Sequence, residues 1–175
     1  MIPDRIFLVG FFGSGTDEVG RALADKIDRP LFSTDAVIEA SARMPLAELY
    51  RKEGESSVRQ RERRALVAVA TGPPGVIVTG PGTFTDRGNR RTIQQSGVSV
   101  FIDASLEECL ARAIERGQLR PDDESNERFT TLYEQRRPIY EEADLIVEPL
   151  GRPPEEIADE IVQRLEDRVW AEKLG

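Results

Sequence analysis

The chain has 175 residues, the length of one ordinary domain, and its 39% hydrophobic and 32% charged residues make a globular rather than a disordered balance. Its 24 Lys and Arg against 32 Asp and Glu leave a net charge of −8, which opposes phosphate backbones and anionic lipid, so no nucleic-acid or membrane partner is expected. Histidine is absent, which excludes Ser-His-Asp and Cys-His catalysis, histidine metal sites and a histidine pH switch.

The one cysteine, Cys109, has no internal disulfide partner and gives no sign of an oxidising compartment. The apolar start, Ile6 to Val9 with Phe11 and Phe12, is short, broken by Gly10 and preceded by Asp4, unlike a signal peptide. No stretch approaches the roughly 20 apolar residues of a membrane span. The expectation is a single cytoplasmic domain over residues 1–175.

Short apolar runs alternate with segments of helical period. Ile6–Val9 reads as a buried strand, Gly10–Gly15 as a turn, and Thr16 to about Asp28 as a helix whose Val19, Leu23 and Ile27 recur every four residues. Pro30–Phe32 is a short strand. Helices are predicted over Ala36–Ala42, Pro45–Lys52 and about Glu55–Ala70, followed by a strand at Gly75–Thr79. Thr85–Gln95 is weakly helical, Val98–Ile102 a strand and Leu106–Arg116 a helix. Gly117–Asn126 is polar and without period; a helix from about Arg128 to Glu142, interrupted or kinked near Pro138, leads to a strand at Leu145–Val147. A helix from Pro154 to about Arg168 closes the chain.

Alternating strands and helices with continuous apolar strands indicate an α/β fold, a parallel sheet covered on both faces. Ligands of such sheets sit beyond the carboxyl ends of the strands. The turns at Gly10–Gly15, Ser33–Asp35 and Gly80–Gly82 all follow strands, so all three are candidates to line one crevice.

The first of them, Gly10-Phe-Phe-Gly13-Ser14-Gly15, has the spacing of a phosphate-binding loop, in which backbone N–H groups and a helix N-terminus surround an anion. The full motif continues with Lys and then Ser or Thr. Here those positions are Thr16 and Asp17, and Glu18 follows. A carboxylate about 4 Å from one phosphate charge costs roughly 4 kcal/mol at an effective dielectric near 20. The same three residues also suit a plain helix start, with a hydroxyl cap and first-turn carboxylates.

Beyond this loop, the chain carries Ser33-Thr-Asp35 with Ile38-Glu39, Gly54-Glu55 through Arg59 and Glu62, Gly80-Pro81-Gly82, Arg120-Pro121 and Arg136-Arg-Pro-Ile-Tyr140. In this order and spacing, from about Arg5 to Leu165, the sequence resembles the shikimate kinases, a branch of the P-loop kinases built like nucleoside monophosphate kinases. The resemblance implies a three-layer sandwich with a five-stranded parallel sheet in the order 2-3-1-4-5 and a lid, here at about residues 117–126. It implies transfer of the ATP γ-phosphate to the 3-hydroxyl of shikimate. It places Asp35 at the hydroxyl-binding, base-like residue, Arg59 and Arg136 at the carboxylate-binding arginines, Gly80 and Gly82 at the turn beside the ring, and Arg120 at the catalytic lid arginine. Gly10, Gly13, Ser14, Gly15, Thr16 and Asp17 fall on the nucleotide loop. Glu62, one turn from Arg59, is placed to orient it; Arg116 and Pro154 are possible neighbours of the adenine.

The acceptor half of this pattern is kept and the donor half is altered. Besides Thr16 and Asp17, Ser33 replaces the first aspartate of the family's D-x-D turn, Pro81 the middle glycine of G-G-G, and Asp122-Asp123 the apolar pair after Arg120-Pro121. The expectation is impaired or lost phosphotransfer with retained binding of a shikimate-like hydroxy-carboxylate, no resident metal, and ATP and Mg2+ engaged only if activity survives. The alternative is an active shikimate kinase with Asp17 on the metal. Each acceptor residue also has a simpler role open to it. Asp35 can cap a helix, Arg59 can be one solvated arginine beside Arg61, Arg63 and Arg64, and Arg137 is as available as Arg136.

Overall fold

The computed structural model describes residues 1–175. Five parallel strands, β1 (Arg5–Val9), β2 (Leu31–Ser33), β3 (Gly75–Val78), β4 (Val98–Ile102) and β5 (Leu145–Val147), form one sheet in the order β2-β3-β1-β4-β5. Leu8 pairs with Val78 on one side and with Val100 on the other, so β1 is the central strand. The helices are α1 (Thr16–Ile27), α2 (Thr34–Ala42), α3 (Leu46–Ala70), α4 (Arg87–Ser96), α5 (Leu106–Glu115), α6 (Asp123–Tyr140) and α7 (Pro154–Leu174).

The two-residue period of β1 divides the core. Ile6 and Leu8 face a cluster with Val19 and Leu23 of α1 and Ile157 and Ile161 of α7. Phe7 and Val9 face the opposite side, with Leu66 of α3, Cys109 of α5 and Phe129 of α6. A smaller cluster, Ile38, Leu49, Val58 and Ala65, joins α2 to α3. With both faces covered, the sheet leaves only the loops at its strand ends open to a ligand.

Several predicted boundaries move for local reasons. The two helices expected over Pro45–Lys52 and Glu55–Ala70 are both present, running on from one another as α3 with a non-helical break between them at Gly54 (φ 82°, ψ 171°). α6 begins at Asp123 rather than near Arg128, because the Asp122 side chain accepts a hydrogen bond from the Ser125 N–H at 2.8 Å. The stretch 117–126 is therefore irregular only as far as Asp122. Pro138 does not interrupt α6, which runs through it to Tyr140. The weakly helical stretch at Thr85–Gln95 divides into a 3-10 turn (Thr83–Thr85) and α4, capped by Asp86. α7 continues past Arg168 to Leu174, and no helix is long and apolar enough to cross a membrane.

Candidate functional site

The loop between β1 and α1 turns back on itself through Gly13 (φ 72°) and Gly15 (φ 88°), left-handed conformations that glycine adopts without a Cβ penalty. The Ser14 N–H donates to the Phe11 carbonyl at 3.1 Å, closing the turn. Gly15 itself is the N-cap of α1, and no side chain caps this helix. Thr16 is thus the first helical residue rather than a cap, and Asp17 and Glu18 lie in the first turn. A cavity of about 80 Å³ lies against the loop and is lined further by Ser33, Asp35, Thr79 and Pro81. Arg116 is its only cationic lining residue, and Arg116 is ion-paired with Glu18.

Ser33, not Asp35, caps α2: its Oγ accepts from the Ala36 N–H at 3.2 Å. Asp35 is left free of a capping role, and its carboxylate rests directly against Gly80, where a Cβ would collide with it. Burial pushes Asp35 up to about 6, reinforced by Glu62, Asp17 and Glu39 and opposed by Arg59. Asp17, at the cavity mouth, is also raised, by enclosure first and then by Glu18, with Arg116 and Arg21 opposing.

Arg59 lies across Gly82, whose missing Cβ makes room for the guanidinium. It is held by Glu62 within α3, at 2.9 and 2.8 Å, and by Glu55 at 3.3 Å, so it is not one more solvated arginine of that helix. Arg136 and Arg137 separate clearly. Arg137 forms a two-pronged pair with Asp103 at 3.1 and 2.8 Å, whereas Arg136 meets no carboxylate. The Arg136 Nη1 donates to the Pro81 carbonyl at 3.4 Å, and its guanidinium lies 5.9 Å from the centre of the Phe12 ring. The Tyr140 hydroxyl donates to the same carbonyl. Pro81 has no N–H to offer, yet its carbonyl gathers both groups.

Asp35, Arg59, Arg136, Gly80 and Gly82 therefore converge on one side of the crevice. Arg120 does not join them: it is exposed, and its side chain makes no hydrogen bond or ion pair. Asp122 and Asp123 serve the start of α6. On the other side of Gly15 a second cavity, of about 370 Å³, is lined by Ser14, Glu18, Arg112, Arg116, Arg152 and Pro154 among others, so Arg116 and Pro154 do face one space. Arg112 escaped the sequence reading. Its guanidinium lies over Gly15, and its place one turn before Arg116, the C-cap of α5, was the available signal. Phe12 and Tyr140 were likewise not singled out as contacts. Cys109, buried with its thiol pushed up to about 12 by burial, is no nucleophile.

The residues at the start of α1 depart from those of a triphosphate-binding loop. The loop has no lysine and two added carboxylates, and Arg116 is paired with Glu18; Arg112, over Gly15, is a nearby cation without a carboxylate partner. No group of three metal-ligating side chains gathers anywhere in the chain.

A parallel sheet in this order, with a glycine turn from its central strand into a helix, is the P-loop kinase fold. Within that class, the family model described as Shikimate kinase matches residues 12–166, and the chain belongs to the shikimate kinase family. The shikimate kinase of Ruegeria pomeroyi is 36% identical over 167 residues, 93% of this chain and 85% of the relative. That of Symbiobacterium thermophilum is 33% identical over 169 residues, 94% and 97% of the two chains. Among solved structures, a shikimate kinase from Acinetobacter baumannii in complex with shikimate aligns with a TM-score of 0.89 at 28% identity, covering 96% of this chain and 95% of that one. One from Aquifex aeolicus aligns at 0.82 with 31% identity, covering 95% and 98%.

Proposed function

We propose that this chain is an acceptor-binding member of the shikimate kinase family in which phosphoryl transfer from ATP is lost or severely impaired. The observation that carries the reading is the first turn of α1. Thr16 and Asp17 stand where the motif requires a lysine and a hydroxyl, Glu18 follows, and Arg116 is held by Glu18. Phosphoryl transfer depends on cations placed against charge that builds up in the transition state, and this loop offers carboxylates instead. Ser33 is drawn into capping α2, and Arg120 is exposed.

The acceptor half supports binding. Arg59 is pre-oriented by Glu62, and Arg136 has N–H donors that no carboxylate of the chain occupies; a guanidinium pair of this kind receives a carboxylate. Asp35, packed on Gly80, is an acceptor for a ligand hydroxyl. The bound ligand of the Acinetobacter relative, shikimate, has this chemistry. The whole chain acts here as one domain, with the segment from Gly117 to Asp122 as its lid. The opposing reading, an active kinase, has one observation in its favour: Arg112, free of any carboxylate partner, lies over Gly15 and brings a cation to the loop. Calorimetric titration with shikimate and with ATP·Mg separately, then a coupled ADP-release assay, decides between them. Shikimate binding without ADP release is the expected result; Mg-dependent ADP release at ordinary enzyme concentration overturns the proposal.

A further inference from the structure

The turn at Gly80–Gly82 carries the acceptor side, since Asp35 rests on Gly80 and Arg59 on Gly82. Two of its three carbonyls are held from nearby in the chain. The Thr83 N–H donates to the Gly80 carbonyl at 3.1 Å, and the Thr85 N–H and hydroxyl donate to that of Gly82 at 3.2 and 2.6 Å. The Pro81 carbonyl between them is held differently. Its donors are two side chains of α6, Arg136 and Tyr140, which stand about one helical turn apart. They do not share it equally. Tyr140 is 1% exposed and its ring packs on Phe101 at 5.2 Å between centres, so its hydroxyl oxygen has one fixed position. Arg136 is half-buried, and its Nη1 stands at 3.4 Å, beyond the usual range of an N–H···O bond.

We infer that Tyr140 is a positioning residue of the acceptor site: its hydroxyl ties the Pro81 carbonyl to α6 and leaves the Arg136 guanidinium beside the turn with its donors unspent. This rests on the acceptor-binding reading above and adds a residue that acts through Arg136 rather than on the ligand. A buried carbonyl left unpaired costs more than a typical hydrogen bond contributes. With the tyrosine in place that demand is met, and Arg136 stands near the carbonyl without being captured by it. Without the hydroxyl, the guanidinium is the remaining donor and closes on Pro81, away from a ligand carboxylate. The turn also loses its firm tie to α6, and with it the spacing between Arg136 and the Arg59 that lies on Gly82. Both consequences weaken carboxylate binding. The Gly80 end, with Asp35, stays in place, because the Gly80 N–H donates to the Thr34 hydroxyl at 3.1 Å.

The test is calorimetry with shikimate and with its carboxamide on the parent, Tyr140→Phe, Arg136→Ala and the double variant. Tyr140→Phe is expected to weaken shikimate binding about tenfold and carboxamide binding less than about twofold. In the Arg136→Ala background the same change is expected to alter shikimate affinity less than about twofold, because the residue it acts through is gone. A merely structural tyrosine weakens both ligands, and both backgrounds, by one factor. That result, or shikimate affinity kept in Tyr140→Phe, overturns the inference and leaves acceptor binding standing. If shikimate does not bind the parent at millimolar concentration, the acceptor-binding reading falls and this one with it. Thermal unfolding verifies that each variant is folded at the titration temperature. Should Tyr140→Phe not fold, the unaltered sequence with fluorotyrosine at Tyr50, Tyr133 and Tyr140 supplies the readout. The Tyr140 fluorine resonance, assigned by elimination with Tyr50→Phe and Tyr133→Phe, is expected to shift when shikimate is added, and an unmoved resonance overturns the inference.

Discussion

Arg59 donates from one nitrogen, Nη1, to both carboxylate oxygens of Glu62, at 2.9 and 2.8 Å, and Glu62 is only 2% exposed. The pair lies one helical turn apart on α3 and turns the guanidinium over Gly82. Replacing Glu62 with Ala is expected to cost about 1.5–3 kcal/mol, the range for hydrogen bonds to charged groups. Because Arg59 is partly exposed it rehydrates, and the larger penalty of a stranded buried charge is not reached. Urea unfolding measures the loss. Shikimate affinity is expected to fall with it, since Arg59 loses its orientation.

Arg136 and Arg59 each face the acceptor side with donors to spare. Arg136→Ala and Arg59→Ala are each expected to weaken shikimate binding about tenfold or more, in line with about 1.5–3 kcal/mol for a charge-assisted hydrogen bond. Calorimetry on the two variants checks this. Arg137→Ala, by contrast, is expected to leave affinity unchanged and to lower stability through the loss of its Asp103 pair.

Asp35 carries a pH signature. Its folded value, about 6, lies above the ordinary 3.8, so between these values the folded chain binds more protons than the unfolded one. Its contribution to stability is therefore full below about pH 4 and is lost as pH rises through about 6. Asp35→Asn is expected to exceed the parent in stability by about 1–3 kcal/mol at pH 7, with the gain vanishing near pH 4. Denaturant midpoints across pH 4 to pH 8 test the sign directly.

The donor loop is tested by restoring its chemistry. Thr16→Lys with Asp17→Ser returns the cation and hydroxyl, and ATP·Mg affinity is expected to rise at least about tenfold. Turnover is expected to remain low, because Ser33 still caps α2 and Pro81 still lacks an N–H. Nucleotide titration followed by ADP-release kinetics separates the two effects.

Asp122 holds the start of α6 through the Ser125 N–H, with a second bond to the Ser125 hydroxyl at 3.1 Å. Asp122→Ala is expected to cost about 1 kcal/mol and to fray the first turn, lengthening the irregular segment toward Arg128. Hydrogen exchange at residues 123–127, faster in the variant, is the readout.

The sequence by itself determined the strand and helix alternation, the glycine spacing of the loop and the sign reversal at Thr16, Asp17 and Glu18. These depend on local propensity and on residue identity, which are visible one segment at a time. Only the tertiary structure decided which of several equivalent side chains is committed elsewhere. Ser33 rather than Asp35 caps α2, because the cap is set by the dihedral angles at the strand–helix junction. Arg137 is taken by Asp103, 34 residues away in the chain, and this leaves Arg136 free beside Pro81. Arg112 reaches Gly15 because α5 packs beside the loop. Contacts of that sequence separation leave no periodic trace, and they arise only once the burial of apolar faces on both sides of β1 has fixed where each helix lies.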